Sequence, residues 1–509
     1  MIAEPLLLRN ARPLLGEGLR WDGAPRDLLI EDGRIAAIEP AGVIGAQAAP
    51  AGRTIDLAGR LLVPGMINGH FHSHEAFQKG RTENLPLELW MHYVRTPIPV
   101  PLTREQAYLR AMIGALEALR SGATAVVDDM SLGGAIDEAV IDGVLSAYDD
   151  LGIRAFLGFA MMDRPVIDNF PFVDELVDPA LVARLRGVPR PDGDALLALT
   201  RRLASARHPR QSRVSVIASA SAPQRCTPAF LQAIRALADE LSLPVIIHAQ
   251  ETRLQVVTGR AFFGSTMIER LHALGFLKPA TTLIHAVWLN PREIALLAQT
   301  GATAQHNAWS NLMLGSGVMP VRELLDAGVN VSIGTDGCCS TVNCNMLNAV
   351  GTAAALSKVR GADYRRWLTA HEACSAATMG GARGLGQQDR LGAIEPGRIA
   401  DLVAYRLDAL PFVPLSDPLR QLVYAERGAA ISDVFVDGEP VMRNGLLTRV
   451  DEAALIARIG AAFAELEPRF REAEASVAPM HAAMETIVAR CEEELIADDT
   501  WPARIGGRA

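Results

Sequence analysis

The chain has 509 residues, a net charge of -9 at neutral pH and a sequence pI near 5.7, so it is long enough for two to four domains of about 100 to 200 residues, or for one large barrel plus additions. The acidic balance argues against nucleic acid as a partner, which would need a basic patch, and leaves small molecules as the expected ligands. No early segment pairs a basic stretch with an apolar run, no apolar run approaches the roughly 18 residues of a membrane span, and the six cysteines contain no CxxC pair; a cytoplasmic protein with reduced thiols and no membrane contact is expected.

Residues 1–63 show short alternating runs broken by Gly, Asp and Pro, and Asp32-Gly33 between two such runs is a hairpin turn signal. The same texture returns over residues 391–450, as in Ile399 to Tyr405 and Ile431 to Val441, so one small β-sandwich built from both ends of the chain is expected. Between them, residues 64–390 alternate buried-strand runs with helices, the pattern of a parallel α/β domain. After a first strand leading to His70, the candidate strands are Ala123 to Asp128, Arg154 to Phe159, Arg213 to Ala218, Pro244 to His248, Thr281 to His285, Ala302 to His306 and Val329 to Gly334. A Thr-x-x-Gln capping box opens a helix at Thr103, and Thr227-Pro228 opens another. Eight β/α units predict an α/β fold of the (β/α)8, TIM-like barrel type, whose active site lies at the C-terminal strand ends. Residues 451–509 read as a helical tail.

The strand ends carry the chemistry. In an extended strand, His70 and His72 project to the same face with Cα atoms about 6.5 to 7 Å apart, close enough for both imidazoles to reach one ion. His248, His285 and His306 end three later strands, and Asp336 follows the last one in Gly334-Thr335-Asp336-Gly337. Five of the eleven histidines thus fall at strand ends, which points to a shared metal centre with N and O donors, suited to zinc or iron and to hydrolysis.

These residues resemble the amidohydrolase superfamily, in particular its deaminase and chlorohydrolase-like branch, over nearly the whole chain. The resemblance is carried by Pro64-Gly65-x-x-Asn68-x-His70-x-His72, by His248-Ala249-Gln250-Glu251-Thr252, by Ile284-His285-Ala286, by the stretch from His306-Asn307 through Ser310-Asn311 to Gly317, and by Gly334-Thr335-Asp336-Gly337. It implies one divalent ion per chain, zinc first and iron second, near His70, His72, His248 and Asp336, with Glu251 and His285 beside the reacting group. Members that bridge two metals use a carboxylated lysine on strand 4; the only lysines here are Lys79, Lys278 and Lys358, and the Arg213 to Gln224 stretch has none.

The activity expected is a metal-dependent aminohydrolase that attacks an amidine-like carbon of a small N-heterocycle and releases ammonia. A bound divalent ion lowers the pKa of water to about 7, Asp336 accepts its proton, Glu251 protonates a ring nitrogen, and His285 orients the hydroxide or polarises the forming C–O bond. The alternatives are displacement of chloride or an alkylamine from such a ring, a formimino-compound deiminase, and, more distantly, an inactive scaffold. His74, Gln78, Trp90, His306 and Asn307 are the expected substrate contacts, with His74 open to a supporting role. Family habit and the helical tail suggest a homo-oligomer, a dimer or higher.

Overall fold

The computed structural model describes residues 4–500 apart from 51, 97, 98, 342 and 498; the end of the expected helical tail, 501–509, lies outside the described residues. The Asp32-Gly33 turn forms as expected: Arg26–Glu31 and Arg34–Pro40 pair antiparallel with Glu31 opposite Arg34, and both turn residues take positive φ, 47° and 73°. Strands from the two ends of the chain join in one nine-stranded sheet, where Arg60–Pro64 pairs antiparallel with Leu402–Arg406. Leu6–Pro13 is shared within it. Its first half pairs with Arg26–Glu31 and Thr54–Asp56, and its end pairs with Arg60–Pro64 past an irregularity at which Asn10 has φ 59°. Leu6, Leu8, Leu28, Ile30, Leu62, Leu402 and Phe435 share one apolar cluster beneath these strands.

The middle of the chain is mixed α/β with parallel strands. We label them β1 (Met66–Phe71), β2 (Ala123–Asp129), β3 (Arg154–Gly158), β4 (Val214–Val216 and Ala218–Ala220), β5 (Val245–Ala249), β6 (Thr281–His285), β7 (Thr303–His306) and β8 (Asn330–Ile333). The first three pair in order with the first half of β4, and the second half of β4 pairs with β5, which continues through β6 and β7 to β8. The single strand expected over Arg213 to Ala218 is therefore two short segments. The backbone changes partner at Ile217: its N–H donates to Leu157 O, whereas that of Ala218 donates to Pro244 O.

Every residue of β1, β2, β3 and β5 is buried, which explains their near-continuous apolar sequences. Ile67, Val127, Phe156, Ile217, Ile246 and Ile284 from β1 to β6 meet in one cluster. Beyond β8 the chain turns against β1: Asp336 N–H donates to His70 O at 2.9 Å, and a Cβ at Gly334 would stand 2.6 Å from His70 N, so only glycine fits there.

The capping-box helix forms over Arg104–Arg120, and Pro228–Leu241 starts behind Thr227. At the end of the chain, Glu452–Ala475 and Ala478–Glu493 are helical. The second of these reaches back over the loops that follow β1, β5 and β6: Met480, Met484 and Ile487 pack in one cluster with Trp90, Met91, Val256 and Trp288. No helix among the described residues is long and apolar enough to cross a membrane.

Candidate metal centre

The sequence puts histidines at strand ends, and the fold brings four of them to one place. The His70 ring lies 4.5 Å from His72, 4.9 Å from His248 and 6.1 Å from His285, centroid to centroid. Asp336 Oδ1 stands 3.6 Å from His70 Nε2 and 3.5 Å from His72 Nε2. Donor atoms of His70, His72 and His248 lie within 4.8 Å of one another, as do those of His70, His285 and Asp336.

Hydrogen bonds aim these rings. His72 Nδ1 is 2.6 Å from Asp129 O and His248 Nδ1 is 2.9 Å from Ser221 O. A carbonyl can only accept, so both Nδ1 atoms carry the proton and both Nε2 lone pairs are left for a cation. Burial, and then the neighbouring His70, pull the His72 imidazole down to about 3; His248 is pulled down by burial and by His70 and His72. These rings are therefore neutral at neutral pH, the state a metal ligand needs. Burial pushes the Asp336 carboxyl up, but the imidazole of His70, 3.6 Å from Oδ1, and those of His72 and His285 outweigh it and hold Asp336 well below the ordinary range.

The chain accepts local strain to build the site. His285 and Asp336 have φ of 76° and 69°, and Gln250, beside Glu251, has 56°. Each costs of order 1 to 3 kcal/mol unless the surroundings enforce it. Here Ala286 N–H donates to Ala249 O, Gln250 Nε2 to Trp288 O, and Asp336 N–H to His70 O.

Around this group lie the acid–base candidates. Glu251 Oε1 is 3.5 Å from His285 Nε2, and His285 Nδ1 is 2.9 Å from Asn311 Oδ1. Burial, then Asp336 and Glu88, raise the Glu251 carboxyl well above its ordinary value, which favours its protonated form. Asp336 Oδ2 receives the Ser310 hydroxyl at 2.6 Å, and its Oδ1 receives Gly337 N–H at 2.7 Å.

Several supporting groups lie outside the set read from sequence. Asp128 and Asp129 end β2, so the strand-end rule that picks out the histidines also reaches them. Asp129 takes Ala160 N–H and the Ser219 hydroxyl on Oδ1, and its Oδ2 is 3.6 Å from His248 Nδ1. Asp128 takes Ser73 N–H and the Tyr148 hydroxyl. Ser310 and Asn311 sit inside a motif already singled out, but their contacts with Asp336 and His285 appear only in three dimensions.

The expected substrate residues are more scattered. His74 Nδ1 accepts from Ser131 N–H, and its ring is 5.1 Å from that of His72. Gln78 Nε2 reaches Tyr93 O and Val94 O, tying the loop to the end of the helix over Leu87–Val94. Trp90 is buried in the apolar cluster under the last helix. Asn307 Oδ1 accepts from Gln305 Nε2, and His306 lines a small cavity with Met319, Arg360 and Trp367 that none of the four candidate ligands lines.

The donors fit a divalent ion. Both His70 ring nitrogens are buried without a hydrogen-bond partner, the environment a ligating imidazole would leave when its ion is taken away, and three imidazoles with one carboxylate suit zinc. No lysine can bridge a second ion here: Lys79 pairs with Glu117, Lys278 with Asp239, and Lys358 lies over the Tyr424 ring.

The model of the amidohydrolase family matches residues 61–441. The chain belongs to this family. Among relatives of this amidohydrolase, a 5-methylthioadenosine/S-adenosylhomocysteine deaminase from Nitratidesulfovibrio vulgaris is 35% identical over 439 residues, 86% of this chain and 91% of the relative. An adenosine deaminase from Xanthomonas campestris, solved with bound zinc, superposes with a TM-score of 0.77 at 30% identity, covering 92% of this chain and 98% of that one. An atrazine chlorohydrolase from Arthrobacter aurescens TC1 complexed with zinc has a TM-score of 0.80 at 25% identity, with coverage of 90% and 100%.

Proposed function

We propose that this amidohydrolase is a metal-dependent aminohydrolase that removes an amino group, as ammonia, from an amidine-like carbon of a small N-heterocycle. One observation carries the reading: His70, His72, His248 and Asp336 converge from β1, β5 and the end of β8 with their free donor atoms turned inward, and Glu251 and His285 stand beside them. We assign those four residues to one divalent ion, zinc, per chain.

A divalent ion bound there supplies Lewis acidity that activates water for attack on the ring carbon. The remaining steps belong to the protein. Asp336 takes one proton from the attacking water at Oδ2. Glu251, protonated in its buried setting, gives its proton to the ring nitrogen next to the carbon, so that no negative charge builds on the ring. With its Nδ1 proton held by Asn311 Oδ1, His285 offers Nε2 as an acceptor and orients the attacking oxygen. As the exocyclic C–N bond breaks, the proton on Asp336 leaves with the amino nitrogen as ammonia. The proton of the added hydroxyl returns to Glu251, leaving a ring carbonyl beside an N–H.

The architecture belongs to the same proposal. We assign residues 64–390 to a closed eight-stranded barrel, with the Asp336 to His70 hydrogen bond spanning the join between β8 and β1. Residues 1–63 and 391–450 form a β-sandwich around the shared strand Leu6–Pro13, and the tail from 451 is a helical addition that helps roof the site.

Replacement of Glu251 tests the mechanism. Glu251→Gln is expected to keep zinc content and thermal stability and to lose about 10² to 10⁴-fold in kcat on amino substrates. Ring substrates with a better leaving group, such as chloride, need less ring protonation and lose less. Small, equal losses on both kinds of substrate would remove Glu251 from the reaction.

A further inference from the structure

Four arginines are almost fully buried among the described residues: Arg154, Arg225, Arg235 and Arg253. Three of them have a carboxylate partner, Asp401 for Arg154, Asp239 for Arg235 and Glu492 for Arg253. Arg225 is 8% exposed, and among the described residues its guanidinium has as hydrogen-bond partners the Ser221 hydroxyl, 3.1 Å from Nη1, and the Met91 sulfur, 3.0 Å from Nη2. A thioether is a weak acceptor, and no described carboxylate pairs with this cation. A buried charge left in that state is costly unless an anion arrives to meet it.

The position of Arg225 ties it to the metal centre. Ser221, which holds the guanidinium through its hydroxyl, also gives its carbonyl to His248 Nδ1. Polar atoms without partners surround the same loop. Gln224 Oε1, adjacent in the chain, is buried and unpartnered, as are His92 Nε2 and both amide atoms of Asn169. His92 follows Met91 in the helix over Leu87–Val94, and its ring packs 6.0 Å from Phe170, the residue after Asn169. Loops after β1, β3 and β4 thus bring together a guanidinium without a carboxylate partner among the described residues and, on an imidazole and two amides, polar atoms without a hydrogen-bond partner. Arg95, at the end of the same helix, makes no ion pair among the described residues and adds a second positive charge that acts on Arg225, Glu75 and Asp129. Burial pulls the Arg225 guanidinium down only to about 10, so it remains a cation at neutral pH.

We infer that Arg225, with Gln224, His92 and Asn169 beside it, forms an anion-recognition subsite, and that the ring substrate carries a carboxylate or equally acidic oxygen group facing the β4 loop. The inference rests on the aminohydrolase reading and narrows it from heterocycles in general to acidic ones. A planar guanidinium, with more N–H donors than Ser221 and Met91 take up, matches a carboxylate in bidentate fashion, whereas an uncharged substituent would leave the cation unpaired.

The test uses zinc-loaded full-length protein and ligand pairs that differ only in carboxylate against carboxamide, on aminopurine, aminopyrimidine, pterin and aminotriazine rings. Binding by calorimetry is expected to favour the carboxylate by about tenfold or more on at least one ring. Arg225→Met is expected to bring that ratio to within about threefold, and Arg225→Lys, which keeps the charge but not the fork, to retain part of it. A panel in which no carboxylate outbinds its carboxamide overturns the proposal, as does an unchanged ratio in Arg225→Met. Should that variant fail to fold, an unchanged ratio in Arg225→Lys together with Gln224→Leu does the same. Ammonia release is read separately. Carboxylates that bind preferentially but are never deaminated would count against the aminohydrolase reading and leave the subsite standing.

Discussion

Ser310→Ala separates the catalytic role proposed for the Asp336 carboxylate from its proposed role as a ligand. Oδ1 faces His70 and His72 and is held by Gly337 N–H, while Oδ2 is held by the Ser310 hydroxyl at 2.6 Å, with Ser310 fully buried. The substitution deletes the Oδ2 hydrogen bond and leaves the Oδ1 side intact. A hydrogen bond to a charged group is worth about 1.5 to 3 kcal/mol. Felt mainly as Oδ2 takes and returns the water proton, that is about 10 to 150-fold in kcat/KM at about 1.4 kcal/mol per factor of ten. The assay is ammonia release under substrate-limited conditions, with zinc measured in the same preparation. Zinc content is expected to match the parent. Activity within about twofold of the parent would refute the proton-acceptor role of Oδ2, and a parallel loss of zinc would move the function of Ser310 to ligand positioning.

Two further outcomes concern stability. Arg154 joins β3 to the terminal sheet through Asp401, at 2.8 and 3.1 Å, and through Asp437, and both Arg154 and Asp401 are buried. Arg154→Met leaves Asp401 without its counter-charge and is expected to cost about 3 to 5 kcal/mol in urea unfolding; a cost below about 1 kcal/mol would contradict this. His92 and His306 are pulled down to about 4 and about 3, in both cases mainly by burial, so between those values and about 6.5 the unfolded chain binds more protons than the folded one and stability rises with pH. Each should cost about 2 kcal/mol between pH 7 and pH 5, and His306→Asn should lose correspondingly less over that interval than the parent. Equal losses in the two proteins would show that His306 is not the source.

The strand pattern and the gathering of histidines at the strand ends are legible in the sequence because both follow local rules. Apolar runs buried on two faces mark parallel strands, and alternation puts His70 and His72 on one face. His74 shows where the local rule ends. The strand stops at Phe71 and a 3-10 turn runs over Ser73–Gln78, so the two-residue alternation does not carry on to His74, although its ring still lies near His72. Other features depend on partners distant in sequence. The split of β4 needs the competing acceptors Leu157 and Pro244, and the grip of Ser310 on Asp336 joins residues 26 positions apart. The cover that Ala478–Glu493 gives to the loops of the site joins segments about as distant as Arg253 and Cys491, whose hydrogen bond spans 238 positions. Arg225 is notable for the carboxylate it lacks, and a sequence does not list absent partners.

The central claim is that one divalent ion, held by His70, His72, His248 and Asp336, makes this chain an aminohydrolase. Stepwise return of zinc to chelator-stripped protein, with bound metal and ammonia release followed together on a responsive amino-heterocycle, tests it most directly. The account predicts no ammonia release without metal, a linear rise to a plateau at one zinc per chain, and no metal-restored activity in His248→Ala. Full activity in the stripped protein, or a rise that tracks a second ion, would contradict it.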